Sequence, residues 1–120
     1  MIIEWLNSLC PKLQNLLQIK LQKEYSYNFT FASQAVQNSI QMMESQRTEH
    51  FEPLTSPAAA EVIATVSVEN NDESTLVKIV DKWDRSDEHR KLLKENSSLG
   101  IGFAYDLGRN LLYATVRLGK

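Results

Sequence analysis

Apolar residues recur every three or four positions along the first part of the chain, which is the spacing of one face of an α-helix. The stripe comprises Trp5, Leu9, Leu13, Leu16, Leu17 and Leu21. It predicts an amphipathic helical segment within residues 1–24. Pro11 lies inside the stripe, and proline lacks a backbone donor and disfavours helical geometry at the preceding residue. One kinked helix and two short helices are both compatible with this pattern.

Helical spacing returns in three later segments. Residues 31–46 predict a helix whose buried face collects Phe31, Ala35, Ser39, Met42 and Met43. A third helix follows from the spacing of Leu76, Ile79, Val80 and Trp83. Asp72 or Ser74 could accept hydrogen bonds from its first amides. Ser86 then has the character of an N-cap for a fourth helix, with His89 in the first turn.

Three segments have the composition of β-strands. Residues 61–68 are rich in β-branched side chains, so a strand is favoured, although a helix beginning at Pro57 competes with it. Residues 99–105 and 111–118 predict an antiparallel hairpin around the polar turn 106–110. In its first strand Gly100, Gly102 and Ala104 share one face. A strand face with such small side chains either allows a helix to pack closely against it or leaves room for a cleft.

Length, composition and net charge indicate a single folded domain and disfavour some classes of partner. The chain has 120 residues, 42% of them hydrophobic, and a net charge of -2. This size fits a single α/β domain over residues 1–120. The lack of basic excess argues against nucleic acid as a partner. No apolar run reaches the roughly 20 residues that a transmembrane helix requires.

Cysteine content and the first residues predict a location. Cys10 is the only cysteine, so an intrachain disulfide is impossible. The N-terminus has neither the basic region nor the cleavage site of a signal peptide. A reducing, cytoplasmic location is therefore predicted.

The run from Lys82 to Leu93, with its Trp83, Ser86 and His89-Arg90 pair, precedes the glycine-containing strand 99–105. This order resembles the C-terminal half of domains of the CAP superfamily, which groups cysteine-rich secretory, antigen 5 and pathogenesis-related proteins. The short bacterial members are the most similar, and the resemblance runs from about residue 12 to the end. It implies a three-layer α-β-α sandwich with a mainly antiparallel sheet.

The resemblance also implies a set of cleft residues. His50 matches the first histidine of the family, Glu61 the glutamate of its Gly-Glu-Asn motif, and His89 the second histidine. Ala60 and Val62 replace the glycine and asparagine of that motif, and Ser86 stands where many members have a second glutamate. Two imidazoles and one carboxylate suit a divalent metal such as zinc, with His50, Glu61 and His89 as ligands.

Three functions remain open at this level. The leading interpretation is a non-enzymatic binding or interaction domain whose cleft, beside the histidines and Ser86, holds a small apolar ligand, a lipid, a sterol or a peptide. A metal-dependent hydrolase, with Glu61 or a metal-bound water as base, is the second. The third is a protein interaction module, or a homodimer, formed through the N-terminal helix. The sequence indicates no catalytic nucleophile, because Cys10 fits a position in the core and Ser86 fits the N-cap of a helix.

Overall fold

The structure, a computed structural model, describes residues 2–51, 53–54 and 58–120. Its helices are α1 (Ile2–Leu21), α2 (Phe29–Ser45), α3 (Asp72–Asp84) and α4 (Asp87–Glu95). Its strands are β1 (Ser26–Tyr27), β2 (Ala58–Ser67), β3 (Ser98–Asp106) and β4 (Leu111–Gly119). None of these helices is both long and apolar enough to span a membrane.

The four strands form one sheet in the order β1-β3-β4-β2. β4 runs antiparallel to both β2 and β3, as the hairpin pattern predicted. β1 runs parallel to β3, so the sheet is mixed, and the expectation of a mainly antiparallel sheet was wrong in this respect. No pattern in the sequence indicated β1, because two residues between helices are too few to show alternation.

Local capping chemistry sets the helix boundaries. Asn28 caps α2 by accepting a hydrogen bond from the amide of Phe31 at 2.9 Å, and Gln46 ends that helix in the left-handed conformation. Asn71 caps α3, in place of the predicted Asp72 or Ser74, by accepting from the amide of Ser74. Ser86 caps α4 as predicted.

Two ambiguities of the sequence are settled. α1 is a single helix that contains Pro11, not two short helices. Residues 58–67 form a strand along their whole length, held by the ladder with β4. The competing helix was expected to begin at Pro57, which lies outside the described residues.

Helices cover both faces of the sheet. α2 lies on the face that carries Gly100 and Gly102, and a Cβ atom added at Gly102 would lie 2.1 Å from the backbone nitrogen of Val36. Of the two alternatives, the face of β3 that carries Gly100 and Gly102 therefore allows the close packing of a helix, α2. The opposite face packs against α1, α3 and α4, where Trp83 and four leucines of α1 are buried, namely Leu9, Leu13, Leu17 and Leu21. Because Leu9, Leu13 and Leu17 belong to this core, the predicted leucine stripe is not a free docking surface.

Candidate functional site

Glu61 forms a buried ion pair with Arg117. The two residues lie opposite each other in the β2–β4 ladder, so the register brings their side chains together on the face covered by α2. Arg117 Nε donates to Glu61 Oε1 at 2.9 Å, and each side chain is only 1% exposed. Arg117 Nη1 also donates to Gln34 Oε1 on α2 and to the carbonyl oxygen of Pro53. The guanidinium thus joins the sheet, α2 and the loop before β2.

His50 contacts the other oxygen of the same carboxylate. Its Nδ1 lies 2.5 Å from Glu61 Oε2, and its side chain is 54% exposed. Because an ionised carboxylate only accepts hydrogen bonds, His50 Nδ1 donates to Glu61 Oε2 in this contact. His50 lines a pocket of about 440 Å³, whose remaining described walls are Phe51, Pro53, Leu54, Ala60, Glu61 and Leu92.

Asn38 on α2 holds the loop that carries His50. Its side-chain amide donates to the carbonyl of Glu49 and its amide oxygen accepts from the backbone nitrogen of Phe51. The same amide group donates to Thr115 on β4. Sequence reasoning missed Asn38. The available signal was its helical spacing from Ala35 and Met42, which places a polar amide on the buried face of α2.

His89 and Ser86 lie on α4 rather than in this pocket. Ser86 Oγ accepts from the backbone nitrogen of His89 at 3.5 Å, which is the capping contact. His89 Nδ1 is buried and has no hydrogen-bond partner among the described residues. Of the four predicted cleft residues, the structure therefore joins His50 and Glu61, and His89 is not among the described residues that line their pocket.

The donor set does not fit a divalent metal. Within the described residues, no three His, Cys, Asp or Glu side chains come close enough to hold a metal ion. Both oxygens of Glu61 are engaged, one by Arg117 and the other by His50. The same contacts argue against Glu61 as a general base, because a base must be free to reach the proton it removes. Zinc binding remains a prediction, and it is disfavoured by the engaged carboxylate of Glu61 and by the small number of ligands among the described residues.

A larger concave site lies at the other side of the molecule. It is a groove of about 780 Å³ between α1 and α2, with the edge of β3 as its floor, and we call it the α1–α2 groove. Its described walls are Ile2, Ile3, Leu6, Asn7, Cys10, Pro11, Gln14, Tyr27, Phe29, Ala32, Ser33, Val36, Ile40, Met43, Ile101, Phe103, Ala104 and Tyr105. None of these side chains carries a formal charge, and most are apolar. A site of this size and composition suits a small apolar molecule.

The groove exists because β1 is short. β1 pairs with β3 only at Ser98 and Leu99. Beyond Leu99, no strand of the described residues lies along this edge of β3, while α1 and α2 lie on opposite faces of the sheet. The Tyr27 hydroxyl partly replaces the missing strand, since it contacts both the backbone nitrogen and the carbonyl oxygen of Ile101 at 3.3 Å. Burial raises the pKa of the Tyr27 phenol and of the nearby Cys10 thiol, so both groups stay neutral at physiological pH.

The two sites lie at opposite edges of the sheet. The α1–α2 groove borders β3 on the side of β1, and the His50 pocket borders β2, which is the other edge strand. The apolar cleft was expected beside the histidines, and the larger apolar space lies elsewhere.

Comparison with known proteins adds a family and two similar structures. A family model described as CAP, the cysteine-rich secretory protein family, matches residues 20–117. An outer surface protein from Borrelia burgdorferi is similar in structure, with a TM-score of 0.65 and 18% identity over 92% of this chain and 87% of that chain. An extracellular protein containing an SCP domain, from Bacillus anthracis strain Ames, gives a TM-score of 0.66 and 18% identity over 95% of this chain. This chain spans 41% of the length of that protein. No curated protein matches the sequence significantly.

Proposed function

The chain belongs to the cysteine-rich secretory protein (CAP) family, as the sequence resemblance predicted, and we propose that it is a non-enzymatic binding domain for an apolar ligand. The ligand is a lipid acyl chain or a molecule of similar shape, held in the α1–α2 groove. The observation that carries the proposal is this uncharged, largely apolar groove of about 780 Å³.

The walls of the groove favour a long apolar molecule. Each methylene group transferred from water to such a site contributes about 0.8 kcal/mol. A chain of about 15 methylenes thus contributes about 12 kcal/mol, which leaves micromolar affinity when association costs about 4 kcal/mol. Asn7, Gln14 and Ser33 are polar residues among the described walls. The Gln14 amide already donates to the backbone carbonyl of Tyr25, so Asn7 and Ser33 are the partners proposed for a headgroup. A charged ligand centre inside the groove would lose its hydration without a counter-charge among the described walls.

The proposal is tested by titration with a fluorescent polyene fatty acid and displacement by palmitate. Val36→Glu places a carboxylate in the groove, and we expect it to weaken binding at least about tenfold, because an unpaired charge is costly in an apolar site. Val77→Glu is the matched control, since Val77 is an exposed valine on α3 outside the groove. Equal affinities for the wild type and Val36→Glu, with both proteins folded, contradict the groove as the binding site.

A location outside the cytoplasm belongs to the same proposal. The two similar structures come from proteins described as an outer surface protein and an extracellular protein. An extracytoplasmic lipid-binding domain is therefore a better expectation than the cytoplasmic location that the single cysteine and the first residues indicated. Cell fractionation with an antibody to the native protein measures it directly, and recovery in the cytoplasmic fraction alone would contradict this part of the proposal.

A further inference from the structure

We infer that Arg117 takes the place of a metal ion in the His50 pocket, so that the pair of His50 and Glu61 is held by a guanidinium of the protein itself. The observation is that the two oxygens of the buried Glu61 carboxylate each contact a different side chain. Arg117 Nε binds Glu61 Oε1 at 2.9 Å, and His50 Nδ1 lies 2.5 Å from Glu61 Oε2.

Charge compensation is the first argument. A carboxylate buried to this degree is costly unless a cation or several donors accompany it. Arg117 is as fully buried as Glu61, and an arginine side chain stays protonated at all ordinary pH values. The ion pair is therefore neutral as a unit, and Glu61 has no need of a second cation.

Repulsion is the second argument. A divalent ion bound to Glu61 would lie within a few ångströms of the Arg117 guanidinium, and the Glu61 and Arg117 side chains are each only 1% exposed to water. Like charges at such short range repel far more strongly there than in bulk water, and a divalent ion doubles the repulsion that a monovalent ion would meet. Arg117 is also fixed by Gln34 and the carbonyl of Pro53, so moving it aside would break further hydrogen bonds.

Ligand geometry is the third argument. Because Glu61 occupies Nδ1 of His50, only Nε2 of that ring remains for a metal. A zinc site with an open position ordinarily needs three protein ligands, and no three suitable side chains lie together within the described residues. One imidazole alone gives only weak binding. The pocket thus contains the histidine–glutamate pair but, within the described residues, lacks the further ligands of a metal site.

The first test is calorimetric titration of the purified full chain with ZnCl₂ after dialysis against EDTA, for the wild type and His50→Ala. We expect the two proteins to give the same weak signal, and the melting temperature of the wild type to be unchanged by zinc. Micromolar or tighter zinc binding that His50→Ala abolishes overturns the inference. This measurement does not involve the α1–α2 groove, so its failure is separate from failure of the proposed function.

The second test asks whether Arg117 is the counter-charge of Glu61. Arg117→Met should lower the melting temperature by several degrees, and the double variant Arg117→Met/Glu61→Gln should recover part of that loss, because it no longer buries an unpaired carboxylate. Arg85→Met is the matched control, since Arg85 is 80% exposed. If the double variant loses as much melting temperature as the two single variants together, the inference is overturned. If Arg117→Met does not fold, the zinc titration of the wild type and His50→Ala is the test of the inference.

Discussion

Asn38 shows how one side chain can position another that lies far from it in the sequence. It is fully buried on α2, yet its amide reaches the backbone on either side of His50 and the hydroxyl of Thr115 on β4. Without Asn38, the carbonyl of Glu49 and the amide of Phe51 would each lose a hydrogen bond, whereas Thr115 would keep its contact with Ser39. Asn38 is therefore a positioning residue for the His50 loop.

Asn38→Ala should lower the free energy of unfolding by about 2–3 kcal/mol, because it truncates a fully buried side chain and removes its hydrogen bonds to Glu49, Phe51 and Thr115. Urea denaturation measures this loss, and amide hydrogen exchange should quicken at Phe51, whose backbone nitrogen donates to Asn38. The control is Gln37→Ala, an exposed neighbour on the same helix. Equal stability of Asn38→Ala and the control would show that Asn38 does not hold the loop.

At the scale of elements, the contact between α2 and β3 depends on the absence of side chains. Cβ atoms added at Gly100 and Gly102 would each lie 2.1 Å from a backbone nitrogen of α2. The helix backbone cannot yield locally without losing its own hydrogen bonds. These two glycines therefore fix the distance between the helix and the sheet.

Gly102→Ala should destabilise the protein by at least about 2 kcal/mol, because the added methyl group forces the helix away from the sheet. Gly108→Ala is the comparison, since the nearest heavy atom to its added Cβ is Asp106 Oδ1 at 3.6 Å. Its effect should stay within about 0.5 kcal/mol. Thermal or urea unfolding distinguishes the two, and similar stability of both variants would refute the close approach.

Asp72 joins α1 to α3 through polar contacts at the surface. Its Oδ2 accepts from Lys12 Nζ at 2.8 Å, and its Oδ1 accepts from Trp5 Nε1 at 2.9 Å. Hydrogen bonding to Lys12, and then to Trp5, lowers the pKa of the Asp72 carboxyl below its ordinary value. The charged form is thus favoured in the folded protein.

This shift predicts a dependence of stability on pH. The contribution of Asp72 is complete above its unfolded pKa of about 3.9 and is lost as the pH falls through the lower pKa of the folded state. Asp72→Asn should therefore cost less than about 1 kcal/mol at pH 7, because the pair is partly exposed, and the difference from the wild type should shrink as the pH falls from about 3.9 through the lower pKa of the folded state. Urea denaturation across this range measures it, with Glu73→Gln in the same turn as control. A difference between Asp72→Asn and wild type that is constant across the whole range contradicts the assignment.

At the scale of the whole molecule, the two candidate sites are separated by the width of the sheet. The α1–α2 groove is walled by α1, α2 and the edge of β3, whereas the His50 pocket lies at β2 and the loop before it. No described residue lines both sites. Binding of an apolar ligand in the groove should therefore not depend on His50.

His50→Ala should bind the fluorescent fatty acid with the wild-type dissociation constant to within about twofold, since distant sites without shared partners act independently. The same titration with Val36→Glu provides the variant expected to lose binding. A tenfold loss in His50→Ala, with the protein folded, would place the ligand in the His50 pocket instead.

Much of the fold followed from local patterns. The Leu9, Leu13 and Leu17 stripe, the Ser86 cap and the hairpin of β3 and β4 needed only periodicity and capping chemistry, and the structure confirms them. β1 escaped prediction because its two residues are too few to show the alternation of a strand and pair with residues about 70 positions away, Ser98 and Leu99. The zinc site was inferred from the family resemblance and from the types of the matched residues, and neither reveals which partner a buried carboxylate has.

The sequence by itself determined the helices, the hairpin and the family, because each depends on residues close together in the chain or on their order. It also placed His50 and Glu61 in one cluster through the family resemblance. Only the tertiary structure decided that Arg117 is the third member of that cluster, because the register of β2 on β4 joins residues 56 positions apart. The structure alone likewise placed the apolar groove at the opposite edge, where the shortness of β1 leaves a gap between α1 and α2.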